Sequence, residues 1–367
     1  MKVLQISPHF SPNVGGVETH LDDLVFTLNK KGYEVFVLTY RPLQTKSSWK
    51  IFEDKKGVKI LRIPWVSGLF YRLINRPVLE FLYLFPGIFL VTPFAILFRR
   101  PDVIHSHGLV AGVVAVFWGK IFKTRTVIST HNIYNFPPLG VHRELANWVF
   151  NNIDHILCLS SQSAEEIKNM IKEKEKVSIF TSWVNLRKFY PLDKEICKTR
   201  LGWKGQFVVL FVGRLVSEKG IPQLLKAAKL FRKGISLKIA GSGPLEDRVG
   251  KYYIGKVSQE DLPLYYSASD VVVVPSTHDE GFGRVIIESL ACGTPVIGSN
   301  RGAIPQVMNG MAGKLIDVTP ENIRDSVELF YKSPKKLKTL SLNSRKLVEK
   351  RYSDENVKVI TESYIKR

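Results

Sequence analysis

Short apolar runs alternate with amphipathic segments along the chain, and glycine-bearing polar stretches separate them. Residues 3–7 read as a buried strand, and a loop from Pro8 to Gly15-Gly16 follows. Val17, Leu21, Leu24, Val25 and Leu28 then share one face at helical spacing, Lys30-Lys31-Gly32 closes the segment, and residues 34–39 return to a strand pattern. Strand, glycine loop, helix and strand in that order open a doubly wound α/β domain. Strand-like runs at 58–63, 103–106, 126–130, 155–159 and 177–180 continue it. Residues 183–191 read as a linker, after which strands at 207–212, 236–240, 270–274 and 295–298 mark a second α/β domain. The expected boundaries are 1–185 and 186–352, with a last helix at 353–366 packing back on the first domain.

One run breaks this rhythm. Residues 81–98 are uncharged, close to the roughly 17–25 residues that span a bilayer. Pro86, Gly87 and Pro93 are expected to break it into a buried helix pair or a surface dipping into one leaflet. Basic residues surround it: Lys46, Lys50, Lys55, Lys56, Lys59, Arg62, Arg72 and Arg76 before, Arg99-Arg100 after. With a net charge of +20, the chain should favour anionic partners, and an anionic membrane surface is expected. The competing reading is a core helix beside solvated lysines. Cys158, Cys197 and Cys292 are far apart, which fits a reducing compartment. Met1-Lys2 leads straight into a strand, so no secretory leader is expected.

Candidate chemistry gathers where strands end, because ligands in open parallel sheets collect at the carboxyl ends. His105-Ser106-His107 closes one strand and Thr130-His131-Asn132 another, which places His107 and His131 better than a random histidine. His20 sits on the first helix, where a surface histidine is the default. Gly15-Gly16 lacks the GxGxxG spacing of dinucleotide binders, so NAD is not indicated. In the second half, Gly213-Arg214 with Lys219-Gly220, and Gly241-Ser242-Gly243-Pro244, leave successive strands. Arg214 and Lys219 would clamp a diphosphate. Residues 276–299, STHDEGFGRVIIESLACGTPVIGS, place Glu280 before a Gly281-Phe282-Gly283 turn and Glu288 inside the helix that follows. Free N–H groups at such a helix start suit an anion, and the two acids lie roughly 12 Å apart along a helix axis. Taken alone, an N-capping acid and a solvated glutamate explain them better, since acids near helix starts are common.

The ordered set is specific. Gly15-Gly16-Val17-Glu18, Gly213-Arg214, Lys219-Gly220, Gly241-Ser242-Gly243-Pro244, Glu280-Gly281-Phe282-Gly283, Glu288 and Ala291-Cys292-Gly293-Thr294-Pro295 resemble the retaining nucleotide-sugar glycosyltransferases of family four. The resemblance covers nearly the whole chain. It implies the GT-B fold, α/β with two facing Rossmann-like domains, and transfer of a hexosyl unit from a UDP- or GDP-sugar to a lipid-linked or glycan acceptor. It implies that Arg214 and Lys219 neutralise the leaving diphosphate, and that Glu288 binds the ribose. Glu280 and the Gly281–Gly283 amides would hold the sugar, with His131 near it. Gly15, Gly16, Gly213, Gly241, Gly243, Val257 and Phe282 are the remaining donor-side positions, and His20 and His107 the acceptor-side candidates. No Asp-x-Asp pair occurs, so no metal site and no cofactor are expected, protein cations standing in for the metal. Ser182-Trp183-Val184-Asn185 departs from the family's usual Asn-Gly-Val-Asp. The expected location is the cytoplasm, peripheral at the inner face of a membrane.

Rival readings remain. A basic nucleic-acid binder would show stacking aromatics or a helix-turn-helix beside the charge, and neither pattern is present, so no nucleic-acid partner is expected. A non-catalytic membrane scaffold would be expected to lose Arg214, Lys219 or Glu280. A nucleotide-sugar epimerase or a phosphorylase can share the two-domain plan, and an epimerase would change the free donor without an acceptor.

Overall fold

The computed structural model describes residues 1–13, 15–43, 48–66, 68, 73, 76–131, 133–136 and 140–365. Lys46, Arg72 and Asn132, named above, and the end of the expected last helix at residue 366 lie outside them. The chain divides into two compact units, Met1–Thr181 with Glu355–Arg367, and Ser182–Asp354. The break falls at Thr181 rather than Asn185, because Trp183 is buried and the Val184 N–H donates to the Tyr352 carbonyl inside the second unit.

The first unit is an eight-stranded sheet in the order β3-β4-β2-β1-β5-β6-β7-β8. Its strands are β1 Lys2–Ile6, β2 Glu34–Tyr40, β3 Phe52–Lys55, β4 Val58–Ile63, β5 Val103–His107, β6 Arg125–Thr130, β7 His155–Cys158 and β8 Val177–Ile179. All pairs are parallel except β3 with β4. The chain starts in the middle of the sheet and winds to both sides, so the carboxyl ends of β1, β5 and β6 lie side by side. Such a strand order makes a switch point, where open α/β sheets hold ligands. Helices α1 Gly16–Lys30, α2 Pro77–Arg99, α3 Leu109–Phe122, α4 Val141–Asn152 and α5 Ser161–Lys168 flank it. Leu4, Ile6, Leu38 and Ile104 pack against Ala111 and Val114 in one core, while Ile128, Val149, Phe150 and Ile156 build another. Apolar residues from strand and helix thus close on each other, which is what their two periodicities require.

Helix α2 overturns the expected break: it runs unbroken through Pro86 and Pro93. A proline cannot donate to the carbonyl four residues back, so Pro93 leaves the Phe89 oxygen open. The Trp118 indole N–H fills that gap at 2.9 Å. Near Pro86 the Tyr40 hydroxyl enters the ladder, donating to the Leu84 carbonyl at 2.7 Å and accepting from the Ile88 N–H at 3.0 Å. Trp65 donates to the Tyr83 carbonyl at 2.9 Å. Neighbouring side chains thus fill the gap at Pro93 and bridge the turns beside Pro86. Leu84, Ile88, Ala95 and Ile96 face the core, whereas Val78, Leu82, Leu90, Phe94 and Phe98 are exposed, Phe98 at 83%. This segment is therefore neither wholly core nor wholly surface; a third of its apolar stretch is buried.

The second unit holds a five-stranded parallel sheet in the order β10-β9-β11-β12-β13. Its strands are β9 Phe207–Arg214, β10 Ile235–Ser242, β11 Val271–Val274, β12 Val296–Ser299 and β13 Gly313–Ile316. Helices α6 Ile221–Lys229, α7 Leu262–Ala268, α8 Arg284–Ala291, α9 Pro320–Lys332 and α10 Pro334–Arg351 surround it. The chain then returns to the first unit through a short turn, Asp354–Asn356, and helix α11, Val357–Ser363. The expected terminal helix of 353–366 is thus shorter and begins later. Tyr352 is held within the second unit, its hydroxyl donating to the Val307 carbonyl at 2.8 Å.

Candidate active site

Two groups of polar side chains stand at strand ends, one in each unit. In the second unit, β9 delivers Gly213 and Arg214, the latter exposed on the last strand position in register with Ser242. Among the described residues its guanidinium has no hydrogen-bond or ion-pair partner. Lys219 follows on the turn Ser217–Lys219. Gly220 then takes φ 73°, and a Cβ there would lie 1.9 Å from the Pro275 carbonyl oxygen. Only glycine lets the loop after β9 press so closely on the loop after β11. The two loops are laced together: the Thr277 N–H donates to the Glu218 carbonyl at 2.8 Å, and the His278 Nδ1 lies 3.0 Å from the same oxygen.

That contact brings Lys219 onto Glu280. The ammonium pairs with Glu280 Oε1, to which the Ser276 hydroxyl also donates, and His278 Nε2 lies 3.9 Å from Oε2. Burial alone would raise the Glu280 carboxyl, but the Lys219 charge, these hydrogen bonds and His278 together hold it below its ordinary value. Glu280 is therefore a buried anion and not an N-cap. The cap of α8 is Gly283, which accepts no side-chain role.

Glu288 is not a solvated helix residue either; it is 2% exposed. The Tyr266 hydroxyl donates to its Oε2 at 3.1 Å, and Arg284, one turn earlier, lies 3.8 Å from Oε1. Arg284 also donates to the Ser182 hydroxyl and the Trp183 carbonyl, each at 3.1 Å. The segment that departs from the family pattern is thus tied to the acid-bearing helix by an arginine. Sequence reasoning passed over Arg284, Tyr266 and Ser276. A basic residue four before Glu288 was the available signal for the first. Gly241 lies beside Gly213 in register, Gly243 follows, and Val257 is half-buried in the loop beyond. Gly281 and Phe282 are buried, and Phe282 packs edge-on against Tyr352 with centroids 5.9 Å apart.

In the first unit, Gly15 caps α1, and a side chain there would collide with the buried Glu18 carboxylate. His107 ends β5 and His131 follows β6; Nδ1 of the former lies 3.0 Å from Nε2 of the latter. His20 overturns the surface expectation. It is 2% exposed, and its ring packs 5.5 Å from His131 and 5.4 Å from Phe180. Gln5, unremarked in the sequence, accepts from His107 Nε2 at 2.7 Å. Burial lowers the imidazoles of this group: His131 to about 4, His105 to about 3, and His107 well below its ordinary value. They are neutral at physiological pH. Among the described residues, no three His, Cys, Asp or Glu side chains come together to hold a metal ion.

Residues 14–188 match the family described as Glycosyltransferase Family 4, and residues 193–347 the one described as Glycosyl transferases group 1. The chain belongs to these group 1, family four glycosyltransferases, and it is a sugar-transferring enzyme. It is similar to sucrose-phosphate synthase from Thermosynechococcus elongatus, with TM-score 0.84, 22% identity and 98% and 97% of the two chains covered. That likeness identifies the fold as GT-B. It is 26% identical to the GDP-mannose-dependent alpha-(1-6)-phosphatidylinositol dimannoside mannosyltransferase of Mycobacterium tuberculosis, covering 92% of this chain and 89% of that protein. It is also 23% identical to the phosphatidylinositol N-acetylglucosaminyltransferase gpi3 subunit of Schizosaccharomyces pombe, over 83% and 67% of the two.

Proposed function

We propose that this enzyme moves a hexosyl unit, with retention, from a UDP- or GDP-sugar to a lipid-linked acceptor, without a metal ion. The observation that carries the donor reading is the part-buried Lys219–Glu280 pair, its lysine on the loop that follows the exposed Arg214 of β9. Departure of a nucleoside diphosphate builds negative charge, and preorganised cations lower the barrier by meeting it without reorganisation. Arg214 and Lys219 take that role, and Glu280 orients the sugar hydroxyls. Glu288, fixed by Tyr266, binds the ribose. His131 contacts the sugar, and His107 and His20 stand behind it on the acceptor side. The second unit is the nucleotide-sugar domain and the first the acceptor domain.

Two relatives are named for phosphatidylinositol-based acceptors, which supports a lipid-linked acceptor here. The exposed stripe of α2 supports a peripheral place on the inner face of a membrane. Leu90, Phe94, Leu97 and Phe98 stand on it, Phe117 and Ile121 of α3 are exposed as well, and Arg99, Arg100, Lys120 and Lys123 close the two helices. An apolar stripe rimmed by cations suits an anionic leaflet.

The test is a thermal-shift screen with UDP-, GDP- and ADP-sugars, followed by transfer from the stabilising donor to phosphatidylinositol lipids. Turnover should survive EDTA; full loss restored by Mg²⁺ or Mn²⁺ refutes the metal-free reading. Conversion of donor without an acceptor would make the protein an epimerase instead. Flotation with acidic vesicles, lost in Leu90→Asp with Phe94→Asp, tests the membrane reading. Wild-type protein left at the bottom of a low-salt gradient refutes it.

A further inference from the structure

We propose that Gln5, His107 and Tyr364 form a proton-ordered chain that fixes His131 as its Nε2–H tautomer, so that the nitrogen offered to substrate is the acceptor Nδ1. The proposal rests on the reading above only in taking His131 to touch substrate; the tautomer itself follows from the Gln5 amide, whose Oε1 faces His107 and whose Nε2 faces Tyr364.

Gln5 and His105 are fully buried, and Tyr364, His107 and His131 are 2%, 3% and 9% exposed. In a dry interior every such proton needs a defined acceptor, which makes its position deducible. The Gln5 amide starts the chain: its Oε1 is 2.7 Å from His107 Nε2, and its Nε2 donates to the Tyr364 hydroxyl at 3.3 Å. A carbonyl oxygen only accepts, so His107 carries its proton on Nε2 and a lone pair on Nδ1. That lone pair faces His131 Nε2 at 3.0 Å. Two lone pairs cannot face each other at hydrogen-bond distance, so His131 is protonated on Nε2. Its Nδ1 has no hydrogen-bond partner among the described residues.

The other arm closes consistently. Having accepted from Gln5, the Tyr364 hydroxyl gives its own proton to His105 Nδ1 at 2.7 Å, and His105 Nε2–H then donates to the Ser129 hydroxyl at 2.8 Å. With the amide in this orientation, each imidazole N–H on the path and the Tyr364 O–H meets an acceptor. Burial keeps the imidazoles uncharged, so no second proton disturbs the order. The chain's last helix therefore does more than pack. Tyr364, at its end, reaches the amide whose orientation decides which nitrogen His131 presents. A neutral imidazole held this way accepts from a sugar hydroxyl and cannot donate to one. Gln5, His107 and Tyr364 are positioning residues; they act through His131.

Long-range ¹H–¹⁵N spectra of histidine-labelled, ligand-free full-length protein read the tautomers directly, with His107→Gln and His131→Gln spectra giving the assignments. Both imidazoles should show the Nε2–H pattern at neutral pH. Tyr364→Phe should give mixed patterns, because the amide loses the group that anchors it. Gln5→Glu should restore the single pattern, since a carboxylate only accepts. An Nδ1–H pattern for His131 in the wild type overturns the proposal, and that reading needs no variant to fold. Unchanged patterns in Tyr364→Phe overturn it too. With the donor found in the screen, Tyr364→Phe should lower kcat by about 5–10-fold, one hydrogen bond's worth, with donor KM within about twofold. Mixed tautomers with unaltered kcat would instead refute the reading that His131 touches substrate.

Discussion

At its strand ends, the second unit buries charge, whereas the ends of β5 and β6 in the first unit bury neutral hydrogen-bonding groups. Lys219 is locked to Glu280 and Arg284 stands over Glu288, all four largely removed from water. In the first unit the same depth is occupied by His105, His107, His131 and Gln5, none charged at neutral pH by the lowering of the imidazoles. Burying a charge is far more costly than burying a paired neutral group. A unit keeps such pairs where a ligand's own charge must be met, and neutral chains where hydroxyls are to be oriented. The contrast is what the proposed roles require: a diphosphate-bearing donor on the second unit and a polar, uncharged group on the first.

The largest effect should follow from breaking the charged side. Lys219→Ala removes the cation proposed to meet the leaving group and strands the Glu280 carboxylate with Ser276. Turnover should fall by roughly 10²–10³-fold, about 2.7–4 kcal/mol of transition-state stabilisation. Arg214→Ala should fall in the same range while leaving thermal stability unchanged, since its side chain is exposed. Near-normal steady-state rates in both would place the diphosphate elsewhere. A double variant, Lys219→Ala with Glu280→Gln, should be more stable than Lys219→Ala alone, as the buried anion is gone.

Acid should then separate the units. His9 and His131 are lowered to about 4 and His105 to about 3 by burial, from an ordinary 6.5. The unfolded chain takes up protons that the native unit refuses, so stability is full above about pH 6.5 and is lost as pH falls toward 4. The slope is about 1.4 kcal/mol per pH unit for each imidazole. Glu280 runs on a different window: its carboxyl is held below 4.5, so its contribution persists above that value and is lost only below it. Hydrogen exchange in urea, followed on peptides from β6 and β11 and corrected for intrinsic rates, should show β6 weakening between pH 7.5 and 5. Equal weakening of β11 would dissolve the contrast.

A smaller effect concerns the ribose side. Tyr266 is buried and its hydroxyl holds Glu288 Oε2. Tyr266→Phe should raise donor KM about fivefold, near 1 kcal/mol, with kcat little changed. Tyr364→Phe on the other unit should do the reverse. A shared pattern of change in the two variants would mean that neither hydroxyl has a separate task.

Much of this was legible in advance, and what was not has identifiable causes. The α/β alternation and the glycine exits of β9 and β10 are local patterns, so they read directly from the chain. β3 and β13 escaped because FEDK is a polar edge strand and GKLI carries glycine and lysine. The prolines of α2 misled because Trp118 and Tyr40 are distant in sequence: Trp118 takes the carbonyl that Pro93 leaves open, and Tyr40 bridges Leu84 and Ile88 beside Pro86. The depth of His20 and the linkage of Tyr364 to Gln5 are tertiary facts; the latter joins positions 359 apart. Arg214, Lys219, Glu280 and Glu288 announced themselves by type and spacing, whereas Arg284 did not. The histidines were legible at their strand ends, but Gln5 and Tyr364 were not, since a glutamine in β1 looks like any interrupted strand.

Salt gives the mildest test of the comparison. Arg214 is exposed on a unit whose ligand would be an anion, so part of its attraction acts through solvent. Screening lengths shrink from about 10 Å at 0.1 M to about 3 Å at 1 M, which weakens that part while sparing the part-buried Lys219–Glu280 pair. Donor KM should therefore rise a few-fold, roughly three- to fivefold, between 0.05 and 0.5 M NaCl. Arg214→Gln should raise KM at low salt and flatten the dependence. The histidine chain carries no charge, so Tyr364→Phe should leave the salt slope as in the wild type. A wild-type KM indifferent to salt would mean that Arg214 meets no phosphate. A slope altered by Tyr364→Phe would mean that the first unit also handles charge, and the division drawn between the two units would fail.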